Sequence, residues 1–221
     1  MDVGGVPSSR IVVLGQSLGT AVASGVVEQF ALRGVEFAGV ILIAGFSNVP
    51  NLLSSYSGAG FIPVLSPLRP FPPLLRLFQS FVVDKWESAN RLAGIVRLTR
   101  TRLHLTFIHA KNDLEIPCHE SDALFKSAAS VVAGEVLDDE AFLSWKKQKS
   151  TLYDDGTFMS IVAAEPDIII RQELVPYGGM LTRQNFQNNS SPANQNHIGH
   201  NGIMLSSAVA LAVMRAFSSD S

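Results

Sequence analysis

Residues 10–25 read "RIVVLGQSLGTAVASG", and this order confines the chain to a strand, an abrupt turn and a helix. The run 11–14 is apolar and largely β-branched, suited to a pleated, buried strand. It stops at Gly15, and Ser17 follows, bracketed by Gly15 and Gly19. A helix is expected over 18–33. Its small residues Gly19, Ala21, Ala23 and Gly25 let it lie close against a sheet, and Gly34 suits its C-terminal cap.

Three further strands are expected: 38–43 within "AGVILIAG", 103–109 as "LHLTFIH" and 168–174 as "IIIRQEL". The first two strands are unbroken apolar runs, the pattern of parallel strands buried on both faces. Helices are expected over 118–130, behind Pro117, and over 203–217. Strands alternating with helices predict an α/β fold with a mostly parallel sheet and flanking helices.

Two segments break the rhythm. Residues 46–90, with "FIPVLSPLRPFPPLLRLFQSF", are rich in Pro, Leu and Phe and are expected to form a cap or lid. Over a reactive site such a cap shapes an apolar pocket and excludes water. Contact with a membrane surface, with Arg69 and Arg76 at the headgroups, is the lesser reading of the same stretch. Residues 180–199, "MLTRQNFQNNSSPANQNHIG", are polar, rich in Asn and Gln, and expected to be disordered. The rest of 1–221 reads as a single domain.

Composition narrows the function classes. A formal charge of −2 over 221 residues, with Lys and Arg scattered, gives no long-range attraction for nucleic acid. The single Cys118 builds neither an internal disulfide nor a zinc site, and His109 and His119 beside it have the wrong spacing for metal. No metal or other cofactor is expected. "MDVGGVPSSR" lacks the parts of a signal peptide. The apolar run "VEFAGVILIAGF" is too short to span a bilayer. The chain is expected to be soluble or peripheral.

A serine hydroxyl raised on a turn between strand and helix is the geometry of a nucleophile elbow. The backbone there is strained, strand and helix approach closely, and glycines two residues either side relieve the crowding. The turn also aims the Leu18 N–H at the place where an oxyanion develops. Ser17 equally admits a structural reading, as one serine in a glycine-rich turn.

"GQSLGT" followed by "AVASGVVEQF" resembles the elbow and following helix of serine esterases and lipases in the α/β-hydrolase superfamily. The resemblance implies a triad in the chain order Ser, acid, His. "IHAKNDLEIP" is similar to the superfamily's H-G-x-x-D-x-x-V-P segment, with Ala110 in place of glycine, and this points to Asp113 as the acid. Asp84 and Asp122 lack a preceding strand. Of His197 and His200 in "NHIGHNGIML", His200 is preferred, because Gly199-His200-Asn201 leads into the last helix as the superfamily's G-H-N does. Asp113 also reads as a loop carboxylate, His200 as a helix cap, and His104, His109 and His119 as strand or surface residues.

Within the superfamily the chain resembles α/β-hydrolase domain proteins of the monoacylglycerol and lysophospholipid lipase type, over 10–130 and the final helix. That resemblance implies hydrolysis of a small ester or lipid substrate: Ser17 attacks, His200 moves the proton, Asp113 orients His200 and Leu18 N–H supports the oxyanion. It also implies either a cytoplasmic site or association with the endoplasmic reticulum membrane. The elbow falls at residue 17, so the superfamily's first four strands and its second oxyanion loop have no counterpart here. The sequence therefore reads as the C-terminal part of a hydrolase fold, with a catalytically impaired interaction fragment as the alternative. With nothing beside it, 11–14 is expected to form a hydrophobic sheet edge.

Overall fold

The computed structural model describes residues 2–55, 85–134, 138–163, 168–176 and 199–218, with short pieces at 57–58, 62–63 and 73. Most of the expected cap and nearly all of the polar 180–199 stretch lie outside the described residues, as do His197 and Asp84.

Six strands make one sheet: β1 (Val12–Gln16), β2 (Gly39–Ile43), β3 (Leu103–Ala110), β4 (Ser150–Leu152), β5 (Phe158–Ala163) and β6 (Ile168–Val175). Their spatial order is β1-β2-β3-β6-β5-β4. The pairs β1/β2, β2/β3 and β3/β6 are parallel, whereas β5 runs antiparallel to both β6 and β4. The expected α/β fold with a mostly parallel sheet is what forms. The antiparallel extension β4–β5 was not expected. It is a hairpin that turns at Asp154-Asp155-Gly156, where Gly156 takes φ 83°.

Helices cover both faces. They are α1 (Leu18–Ala31), α2 (Val49–Ser55), α3 (Ser88–Leu98), α4 (His119–Ala133), α5 (Asp139–Gln148) and α6 (Ser207–Phe217). The expected helix over 203–217 is broken in two, a short 3-10 turn at Ile203–Leu205 preceding α6. The alternation of side chains along β2 sorts the core: Val40 and Leu42 join α1, α3 and α4 on one face, while Ile41 and Ile43 meet α6 on the other. Gly39 admits α6 closely, since a Cβ there would stand 2.6 Å from Ala216 Cβ.

β1 is an edge, as expected: among the described residues no strand pairs with its outer side. Beside it, Leu18, Val22 and Val26 are 54%, 52% and 43% exposed at four-residue spacing along α1. This helix therefore presents an apolar stripe to solvent. No helix among the described residues is long and apolar enough to cross a membrane.

On the larger core face Phe125 is fully buried among Phe107, Phe142 and Trp145. Phe125→Ala is expected to lower the unfolding free energy by about 3–5 kcal/mol, because the cavity adds to the lost transfer energy. Leu143→Ala, on the exposed side of α5, should stay within about 0.5 kcal/mol. Urea midpoints of the two variants against the parent chain check both values.

Candidate active site

β1 delivers its C-terminal end beside that of β2, and the turn into α1 forms there. Ser17 takes φ 52° and ψ −124°, a backbone region L-residues rarely occupy. Three bonds hold it. Ser17 N–H donates to Ile43 O at 2.9 Å, and Thr20 donates to Ser17 O from its N–H at 3.0 Å and from Oγ1 at 2.7 Å. A serine at this helix position ordinarily accepts a bond from the first turn. Ser17 makes no such cap bond, and among the described residues its hydroxyl has no hydrogen-bond partner. The Leu18 N–H, first of the helix, is likewise without an acceptor among them.

The crowding at the turn is one-sided. A Cβ on Gly15 would stand 2.4 Å from Gly19 O and 2.9 Å from Thr20 Cα, so only glycine fits. A Cβ on Gly19 meets nothing within 4 Å among the described residues, which corrects the symmetric expectation. The strand approaches the first turn of the helix at Gly15, while the position of Gly19 opens outward.

β3 delivers the acid. Past Ala110 the chain folds back on the Asp113 carboxylate, whose Oδ1 accepts from the N–H groups of Glu115 at 2.9 Å and Ile116 at 3.0 Å. Its Oδ2 lies 2.7 Å from His200 Nδ1 and 3.4 Å from His109 Nε2. Burial alone would raise the Asp113 pKa. Hydrogen bonds from His109 and His200, the His200 charge and the Ile116 N–H outweigh it and hold the carboxyl well below the usual range.

The C-terminal segment supplies the histidine. Gly199 packs on the acid loop so tightly that a Cβ would stand 2.4 Å from Asn112 O. The residue expected at the end of a polar insertion is thus a structural part of the site. Gln16, next to Ser17, donates from Nε2 to His200 O at 3.1 Å. With His200 Nδ1–H donating to Asp113, Nε2 is the nitrogen left for a reacting group, and it stands 3.8 Å from Glu115 Oε2. Burial lowers the His200 pKa, but the bond and charge of Asp113, with the charge of Glu115, raise it on balance.

Asp113 and His200 are therefore in contact, and the elbow is tied to His200 through Gln16. No hydrogen bond joins Ser17 Oγ to His200 among the described residues. Asp122 is engaged elsewhere, with Lys146 at 2.5 Å and Gln172 at 2.9 Å. His104 is buried in β3 against Arg215 O at 3.1 Å, and the His119 side chain is exposed. His109, expected as a strand or surface histidine, is a fully buried strand residue touching the acid. Its signal was the four-residue spacing to Asp113 across the strand end. Gln16 and Glu115 carried no local signal, whereas Gly199 was marked by the Gly199-His200-Asn201 run. Burial and the Asp122 charge push the Cys118 thiol up, away from the reactive thiolate. A cavity of about 600 Å³, lined in part by Met159, Glu173, Leu205 and Arg215, lies past β6 and includes none of Ser17, Asp113 and His200.

No family model matches the chain, and no curated protein matches it in sequence. Two solved structures overlap part of the fold. One is a puromycin-hydrolyzing peptidase of Mycobacterium tuberculosis, 14% identical with a TM-score of 0.38 over 58% of this chain and 17% of that one. The other is an acylaminoacyl peptidase of Pyrococcus horikoshii, 17% identical with a TM-score of 0.37 over 58% of this chain and 18% of that one. The chain thus spans less than a fifth of either, and likeness at this level carries no argument about activity.

Proposed function

We propose that the protein is a serine hydrolase acting on carboxylic esters. One observation carries this reading: a strained serine with an uncommitted hydroxyl sits on the strand-to-helix turn, one residue from the Gln16 bond to His200, whose ring is held by Asp113. A hydroxyl attacks a carbonyl well only when a base takes its proton and a carboxylate fixes that base. Ser17 Oγ attacks the ester carbon, His200 Nε2 accepts its proton and then returns it to the leaving alkoxide, and a water repeats the cycle to release the acid. Asp113 holds Nδ1–H throughout, and the Leu18 N–H supports the oxyanion.

The apolar composition of 46–90 supports acylglycerol- or lysophospholipid-like substrates, with peripheral contact to a lipid surface; a series of ester chain lengths tests this. The Glu115 carboxylate opposite His200 Nε2 favours a second reading, a site held silent in a chain that serves as an interaction module.

A fluorophosphonate probe is expected to label the protein at Ser17, and Ser17→Ala should abolish the labelling. Full labelling of that variant, or none of the parent, refutes the assignment. His200→Ala should cost several orders of magnitude in turnover, because serine, base and acid act as a unit. His197→Ala should not; the reverse result exchanges the two histidines.

The pH profile follows from the direction of the His200 shift. A base with a raised pKa keeps its proton, and so stays inactive, to a higher pH. The acid limb of kcat/KM should therefore lie above the ordinary imidazole value of about 6.5. Removing the Glu115 charge weakens the hold on that proton, so Glu115→Gln should move the limb to lower pH. A limb that moves upward, or not at all, contradicts the role given to Glu115.

A further inference from the structure

His109 lies in β3, fully buried, four residues before the acid and with no part in the proposed reaction. Its Nε2 stands 2.8 Å from Ile116 O. A carbonyl only accepts, so Nε2 carries the proton. The same nitrogen lies 3.4 Å from Asp113 Oδ2, the oxygen that receives His200 Nδ1. The other ring nitrogen, Nδ1, is buried with no hydrogen-bond partner among the described residues. Buried polar atoms are nearly always paired. A ring that leaves one nitrogen bare while spending the other on the acid loop is placed for that loop and not for general packing.

We propose that His109 is a positioning residue: its Nε2–H, shared between Ile116 O and Asp113 Oδ2, fixes the rotamer in which Asp113 meets His200. This rests on the hydrolase reading of Ser17, Asp113 and His200. The physical basis is the shape of the loop. Oδ1 is held by the N–H groups of Glu115 and Ile116, which fixes one end of the carboxylate. Rotation about that end swings Oδ2 away from His200 unless a second donor opposes it. The Nε2–H edge of the His109 ring, 3.4 Å from Oδ2, opposes that swing. The bond to Ile116 O ties the ring to the far end of the same loop, so the loop and the carboxylate are held together.

The test uses the full chain with His109→Phe, which keeps a planar ring and removes both nitrogens, and His109→Gln, whose amide reaches toward the same carbonyl. His109→Phe should lower kcat by about 10²-fold with KM little changed, the cost of a misplaced catalytic group. His109→Gln should recover most of that loss. NMR titration of the His200 ring is read in parallel, since it needs no turnover. The charged groups facing His200 are Asp113 and Glu115. With Asp113 loosened, His200 gives up its proton more easily, so its midpoint should fall in His109→Phe and return in His109→Gln. Identical midpoints in all three proteins overturn the proposal. Equal loss of kcat in both variants, with unmoved midpoints, also overturns it by leaving only a packing role. If His109→Phe fails to fold, the tautomer in the parent decides: a proton on Nε2 upholds the assignment and a proton on Nδ1 refutes it. An unlabelled Ser17 in the parent defeats the hydrolase reading, while the His200 midpoints still judge His109.

Discussion

The buried carboxylate of Asp113 governs the architecture of this site. An ionised group removed from water costs several kcal/mol unless charge and hydrogen bonds replace its hydration. Three donors do so here, two backbone N–H groups on one oxygen and the His200 ring on the other, with His109 Nε2 standing 3.4 Å from that second oxygen. Meeting that demand forces the chain after β3 into a tight return, which places Ile116 in a small apolar cluster with Ala21 and Phe46. Ala21 belongs to the first turns of α1, just beyond Ser17. The acid loop is thus fixed to the elbow helix through apolar contact and to the C-terminal segment through charge.

How much of this was legible depended on the range of the cause. Strands β1, β2, β3 and β6 were written locally, the first two as unbroken apolar runs and the other two as short runs rich in Ile, Leu and Phe broken by polar residues. The contact between Asp113 and His200 was also legible, because each of the two residues follows a recognisable local pattern. The hairpin β4–β5 escaped although Asp155-Gly156 is a turn signal, because its strands mix exposed and buried positions irregularly. Helix α3 was hidden by a segment boundary placed at residue 90, in the middle of its first turn. Gly199 needed a different kind of knowledge. Its lack of a Cβ matters only because Asn112, far away in sequence, presses against it. The asymmetry between Gly15 and Gly19 likewise comes from three-dimensional approach, which the symmetric motif conceals.

The elbow stands on the outermost strand of the sheet, and this sets what holds it. β2, buried on both faces, anchors the turn from one side through Ile43 O. On the opposite side no strand among the described residues pairs with β1, and α1 exposes an apolar stripe, surfaces of the kind that favour association. Among the described residues the strained backbone of Ser17 is held by its neighbour strand and by Thr20. A second strained residue, Ala44 at φ 50°, ends that neighbour strand and bonds to Ile108 O in turn.

The Gln16–His200 bond joins positions 184 residues apart, and Asp113–His200 joins positions 87 apart. Closing loops of that length carries an entropic penalty that local contacts do not share, and such contacts form late in folding. The hairpin β4–β5 and the helix pairs have short-range partners and can organise early. The contacts of His200 with Gln16 and Asp113 require the segment at 199–218 to dock against the sheet. These two contacts therefore report completed folding, because a partly folded chain can form the turn at Ser17 without the segment that carries His200.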